Sequence, residues 1–354
     1  MTFLITIFAL GLVIFLHELG HMLMAKRAGI GVYEFSVGMG PKVVSRQWGE
    51  TLYSLRILPL GGFVKLAGLD DDDHHQAPAD KNFNSKSIMA RFLTISAGSI
   101  MNIILGFTIF VLMFTFIGVP RVNNVVKNVL KDSPAQSVGL QSGDIFLEIN
   151  DHPITLPKRD IINTIHHSAG KPLKILVERQ GNEQTLFITP KANDMNPEIG
   201  LIGIVLDATI TRYNPLKSIQ LGAQETYTRV RLVFVSLSML INGKAGLKDM
   251  AGPIGIIQIA SFQLHQNFLS FLDIMALISI SLGVINLFPL PVLDGGHLVL
   301  LLVEAVRKKR LNKKWENAIN NIGTAILIAL MVIVVINDVI NWESRVGLLK
   351  SLTQ

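Results

Sequence analysis

Long apolar runs separated by polar stretches set the first expectation for this chain. Residues 1–25, 92–119, 271–306 and 322–340 are almost wholly apolar, and about 20 helical residues suffice to cross a hydrocarbon core of roughly 30 Å. Each run predicts a transmembrane helix, so the expected fold class is a multi-pass α-helical membrane protein with four spans. The first run has no basic segment ahead of it and no small-residue cleavage site, and its polar cluster lies inside the helix. It therefore reads as a retained span rather than a signal peptide. A further apolar run at 232–241 is too short to cross, and residues 208–270 are expected to form an extracytoplasmic amphipathic helical segment lying on the membrane surface.

Between the second and third runs the pattern changes. Short β-prone stretches at Ile145–Ile149, 174–178 and 184–189 alternate with turn residues, which predicts an inserted α+β domain over 122–207. The run from Ser133 through Gly139, Gly143 and Asp144 to Asn150 resembles a PDZ domain: a short helix capped at Gly139, then Gly-Asp leading into a strand that ends at an Asn turn. Bacterial PDZ domains are often permuted so that the peptide-binding loop comes last, and Gly200, Leu201, Ile202, Gly203 and Ile204 resemble that loop. Its backbone amides and strand edge would take a peptide or its C-terminus; the alternative is a PDZ-shaped spacer with no ligand. In the 26–91 loop, two β-prone segments flank Gly61 and Gly62, which predicts a β-hairpin over 51–67.

Charge adds an orientation. Lys26 and Arg27 follow the first span, Lys86 and Arg91 precede the second, and Arg307, Lys308, Lys309, Arg310, Lys313 and Lys314 crowd the 307–321 loop. Positive charge collects on the cytoplasmic side, so both loops belong there and the 122–207 domain lies outside. The 354 residues are 49% hydrophobic and only 16% charged, too apolar for an ordinary soluble enzyme. The net charge of +6 is explained by those loops and forms no stripe with interleaved aromatics, which argues against nucleic-acid binding. With no cysteine present, any metal must be held by His, Asp or Glu. The run Asp70 to Asp73 with His74 and His75 sits in a polar loop and reads as solvated charge.

Within the first span, His17-Glu18-Leu19-Gly20-His21 is an HExxH pattern. Imidazoles at i and i+4 project from one helix face and can grip one zinc ion, with the adjacent Glu beside the water that such a metal activates. Ionisable groups inside a membrane helix cost on the order of several kcal/mol, so three together need a partner or a cavity. A catalytic zinc usually takes three protein ligands. In the third span the stretch from Asn286 to His297 interrupts an apolar helix with Pro289, Pro291, Gly295 and Gly296. Such a break is tolerated at membrane depth where it is buried or lines a wet cavity. Asp294 and His297 are the ligand candidates there, and residue type alone leaves both open.

In order along nearly the whole chain, the HExxH motif, Gly61-Gly62, the PDZ-like insert, the Ala-Gly-Pro-Ile-Gly run at 251–255 and the stretch from Asn286 to Gly296 resemble the site-2 proteases of peptidase family M50. The closest likeness is to the bacterial RseP-like branch. The resemblance implies a zinc metalloendopeptidase with one Zn2+ per chain, held by His17, His21 and Asp294, with Glu18 as general base. It implies that Asn286, Pro289, Pro291, Gly61 and Gly62 hold substrate and that the 51–67 hairpin dips into the membrane beside the site. Location would be the bacterial inner membrane, with the active site nearer the cytoplasmic face, since about 14 apolar residues, or ~20 Å of helix, precede His17. Partners would be single-span transmembrane proteins such as anti-sigma factors or remnant signal peptides. The best-known enteric relatives carry two PDZ domains in tandem; this chain has room for one, so a gating scheme built on a tandem does not transfer. Two other readings are a catalytically silent membrane adaptor recruiting through its PDZ domain and a metal transporter. Neither needs a base beside the first His.

Overall fold

A computed structural model describes residues 1–69, 78–193, 197–244, 246, 251–310, 312–343 and 347; the Asp70 to His75 run lies outside them. The first elements are α1 (Thr2–Arg27), β1 (Val32–Trp48), β2 (Thr51–Leu66) and α2 (Ile88–Leu112), which a π-turn extends over Met113–Ile117. Next come β3 (Val119–Val129), α3 (Pro134–Ser137), β4 (Ile145–Ile149), β5 (His152–Pro153), α4 (Thr164–His166), β6 (Leu173–Arg179), β7 (Asn182–Ile188), β8 (Lys191–Ala192), β9 (Gly200–Leu201) and β10 (Ile204–Thr211). The chain ends with α5 (Pro215–Ile241), α6 (Pro253–Gln266), α7 (Phe268–Asn286), α8 (Asp294–Arg307) and α9 (Lys313–Ile340). Two compact units emerge: Met1–Thr115 with Asn214–Gln354, and Phe116–Tyr213.

Among the described residues, four helices of the first unit are long and apolar enough to cross a membrane: Thr2–Arg27, Ile88–Ile117, Phe268–Asn286 and Ala318–Ile340. They fall on the four apolar runs, with one difference. The run at 271–306 is two helices, α7 and α8, separated by a turn at 287–293 that holds both prolines, while Gly295 and Gly296 fall in the first turn of α8. Local chemistry fixes several boundaries: the Ser87 hydroxyl accepts from the Ala90 amide at the start of α2, and Asn267 does the same for Ser270 at α7, each satisfying an amide that has no intrahelical partner. α1 and α2 approach closely because a Cβ at Gly20 would collide with the Ala97 carbonyl, the small-residue contact by which membrane helices pack.

The segment after α1 departs from the expected hairpin. β1 and β2 form an antiparallel pair joined at Gly49 and Glu50, and the two halves of β2 do not pair with each other. Phe35 stands opposite both Tyr53 and Val64, and Ser36 opposite both Ser54 and Phe63, so residues 34–37 lie between the halves. Gly61, at φ +106°, supplies the left-handed turn where β2 crosses over. Phe35 is the apolar centre of this arrangement, buried against Phe15 (centroids 5.6 Å apart) and Tyr53 (6.0 Å). Gly38, Gly40 and Pro41 interrupt the alternation of β1 and conceal it as a partner.

The 208–270 segment also differs from expectation. Among its described residues it holds α5 and α6 ahead of the start of α7, and α5 packs along α2 instead of lying apart on a surface: Ile103, Phe107, Ala223 and Val230 line one cavity between them. Its charge is used inside the bundle, since Arg229 donates to Glu225 and Asp273 at 2.9 and 2.8 Å and its guanidinium lies over the Phe110 ring. Further along, Phe234 meets Phe288 in the α7–α8 turn. The Ala-Gly-Pro-Ile-Gly run forms the start of α6, where the amides of Gly252 and Gly255 each donate to the buried Asp338 carboxylate of α9 at 2.9 Å.

In the second unit the main sheet runs β10-β3-β4-β6-β7, with β5 on β4, over a core that includes Phe146, Ile161, Ile175 and Val177. Strands β4, β6 and β7 fall on the three expected stretches, and Gly139 takes the left-handed conformation after α3. The Gly-Asp pair before β4 has a physical purpose. Burial pushes the Asp144 carboxyl up, but a bidentate pair with Arg179 (both 2.7 Å) and the Gln141 amide outweigh it and hold the group below the usual carboxylate range.

Candidate active site

α1 carries His17 and His21 one turn apart on a single face, and α8 begins with Asp294. The His17 and His21 Nε2 atoms lie 3.3 Å apart, and each is 3.4 Å from Asp294 Oδ2. Ligand atoms of these three residues all fall within 4.8 Å of one another. A tetrahedral zinc with bonds of about 2.0–2.1 Å has edges of about 3.3–3.4 Å between its ligand atoms. The three observed separations match three such edges, which leaves the fourth vertex for water or substrate. The His21 Nδ1–H donates to the Thr94 carbonyl at 2.9 Å, so its Nε2 lone pair is free to face the cluster. The donor set of two imidazoles and a carboxylate thus fits zinc in kind and in spacing.

The break in the third run is what delivers Asp294. After α7 the chain turns back through 287–293, closed by bonds from the Leu290 amide to the Phe288 carbonyl (2.7 Å) and from Leu293 to Leu290 (3.2 Å). A Cβ at Gly295 would strike the carbonyls of Leu287 and Phe288, and one at Gly296 that of Leu290; only glycine lets the turn fold onto the first turn of α8. Ser99 of α2 donates to Asp294 Oδ2 at 3.1 Å and fixes the carboxylate toward the imidazoles.

A cavity of about 360 Å³ opens on this cluster, walled by Glu18, Asn286, His297 and, from β2, Phe63 and Val64. Val64 stands in the wall with Glu18, and Gly62 lies beside the same Glu18 side chain. Asn286 Nδ2 is 3.3 Å from His17 Nε2. His297 is in the cavity wall but outside the ligand cluster. Gly61, Pro289 and Pro291 are not in that wall: Gly61 lies against Met39, and Pro291 against Gly323 of α9. In the second unit, Leu201, Ile202, Gly203 and Ile204 line a cavity of about 260 Å³ with Ile161 and Ile165, and Gly200 sits beside Ile165 and Pro190. Sequence reading missed Thr94, Ser99 and Asn102. Ser99 and Asn102 carry a visible signal, polar side chains three residues apart on an apolar helix, whereas Thr94 acts through its backbone carbonyl, which no side chain announces.

Two imidazoles and a carboxylate gathered by helices long and apolar enough to cross a membrane, with a glutamate in the same cavity, are the donor set expected of a metalloprotease that works within the bilayer. Comparison with known proteins places it further. Residues 5–330 match the model of peptidase family M50, and the chain belongs to that family. It is 31% identical to zinc metalloprotease RasP of Bacillus licheniformis, over 93% of this chain and 96% of that one. Against the regulator of sigma-W protease RasP of Bacillus subtilis it is 28% identical, with the same shares covered. A relative in Clostridium acetobutylicum is 35% identical over 95% of this chain and 96% of that one. These relatives place it in the RseP-like branch, and the chain is a zinc metalloendopeptidase of the site-2 type in a multi-pass membrane protein. Among solved structures, the PDZ domain of an SdrC-like protein from Listeria monocytogenes is 30% identical, over 23% of this chain and 84% of that one, with a TM-score of 0.21.

Proposed function

We propose that His17, His21 and Asp294 hold one zinc ion and that Glu18 is the general base with which this intramembrane protease hydrolyses peptide bonds in the transmembrane segments of single-span membrane proteins. The observation that carries the assignment is the triangle of 3.3, 3.4 and 3.4 Å between the three ligand atoms. When bound, zinc supplies an acidified water, with a pKa lowered to about 7, and polarises the scissile carbonyl. Glu18, in the same cavity wall as the cluster, takes the proton and passes it to the leaving amine. Asn286, with its amide 3.3 Å from His17, donates to a substrate carbonyl. Stripping the metal with 1,10-phenanthroline from enzyme in liposomes should reduce cleavage of a single-span substrate to background, and added Zn2+ should restore it. Cleavage that persists once metal analysis shows the zinc gone would overturn the assignment.

A transmembrane helix keeps its amides in internal bonds, so the scissile bond reaches the site only after local unwinding. The edge of β2 at 62–66, whose Phe63, Val64 and Leu66 line the cavity, is the surface against which the unwound strand pairs. Val64→Pro removes a backbone donor from that edge, and should slow cleavage at least about tenfold with zinc content unchanged. An unaltered rate removes the edge from the mechanism.

Basic residues at 26–27, 86–91 and 307–314 support an active site nearer the cytoplasmic face of the bacterial inner membrane and a second unit outside it. There the groove at Gly200 to Ile204 receives the C-terminus of a substrate already trimmed of its outer domain. The sigma-W regulator among the relatives favours an anti-sigma factor over a remnant signal peptide as substrate.

A further inference from the structure

α2 supplies none of the three candidate ligands, yet each ligand has a partner on it. The Thr94 carbonyl takes the His21 Nδ1–H, Ser99 donates to Asp294, and the Asn102 carboxamide lies 3.3 Å from His17 Nδ1. The third contact is drawn with Asn102 Nδ2 toward the ring, while Asn102 Oδ1 is buried with no partner among the described residues. Oxygen and nitrogen of a carboxamide are interchangeable in shape, so the bonding around them decides the assignment.

His17 faces the cluster with Nε2, the atom that stands in the triangle. For that nitrogen to offer its lone pair to a metal, the neutral ring must carry its proton on Nδ1, and that N–H then needs an acceptor. The His21 ring has a carbonyl in the equivalent position. Asn102 is 0% exposed, and a half-turn of its amide puts Oδ1 opposite His17 Nδ1 and the NH2 where the oxygen now stands. The count of bonds is the same in either orientation, so the ligand role of His17 decides between them. We infer that Asn102 is the positioning residue for His17, its carboxamide oxygen accepting from Nδ1–H and so fixing the tautomer and ring plane that present Nε2 to zinc. The inference rests on His17 being a zinc ligand.

It is tested in purified full-length protein by chelator competition for Zn2+, with wild type, Asn102→Leu, Asn102→Asp and His17→Ala measured side by side. Loss of an outer partner of a ligating His typically weakens metal binding 10–100-fold. Asn102→Leu, similar in size but without an acceptor, should weaken Zn2+ by about that factor, whereas Asn102→Asp, which retains an oxygen acceptor, should bind within a few-fold of wild type or more tightly. Wild-type affinity in Asn102→Leu overturns the inference. So does equal weakening in Asn102→Leu and Asn102→Asp, which would mean that packing alone is at stake. Full Zn2+ binding by His17→Ala is a different result: it removes His17 from the site, and the role of Asn102 with it.

Discussion

Glu18→Gln should leave one zinc per chain in place and lower peptide hydrolysis by about 10²–10⁴-fold, the usual contribution of a general base. The substitution is nearly isosteric, so the cavity that Glu18 shares with the cluster keeps its shape. What it removes is the ability to take a proton. Glu18 is not among the three residues whose ligand atoms cluster, so zinc affinity should not follow the loss of turnover. Two measurements decide the matter: turnover on a single-span substrate in liposomes, and zinc stoichiometry by metal analysis. Membrane-derived peptides compared between cells carrying wild type and Glu18→Gln would also report the natural substrates, as fragments present in the first and missing from the second. Turnover within about tenfold of wild type would remove Glu18 from the chemistry, because no other carboxylate besides Asp294 lines that cavity among the described residues.

The parts of this site that were legible in the sequence are those set by local geometry. His17 and His21 share a helix face by the i, i+4 spacing alone, and four spans follow from apolar length. The break before Asp294 could be expected from two prolines and two glycines, since irregular backbone at membrane depth needs cover. The choice between Asp294 and His297 was not legible from residue type: both line the same cavity, and only the fold of 287–293 onto Gly295 and Gly296 turns the carboxylate toward α1. Partners remote in sequence were harder still. The flanking of residues 34–37 by both halves of β2 depends on Phe35 finding Phe15 and Tyr53, which no alternation in 51–67 could announce. α5 reads as a surface helix because its apolar run at 232–241 is too short to cross, yet its Glu225 and Arg229 face the bundle, where Arg229 answers Asp273 of α7. Polarity predicted that these groups would seek partners and was silent on whether water or protein would provide them.

That same ambiguity between Asp294 and His297 gives the second large effect. Asp294→Ala should lower zinc affinity by more than the 10–100-fold typical of an outer partner, since it deletes one of three ligands, whereas His297→Ala should bind zinc like wild type. A ligand that binds only the folded state raises stability by RT ln(1 + [L]/Kd), about 2.7 kcal/mol at one hundred times Kd. The melting temperature of wild type and of His297→Ala should therefore climb with added Zn2+, while that of Asp294→Ala stays flat over the same range. The Ala variant also leaves Ser99 without its acceptor, so a modest metal-independent loss of stability is expected and is read separately, from melts in excess chelator. A melting curve for Asp294→Ala that rises with zinc as wild type does, or one for His297→Ala that has lost the response, would show that the carboxylate opening α8 is not the third ligand. The 3.4 Å contacts to both imidazoles would then have to be read as a buried hydrogen-bonded cluster with no role in catalysis.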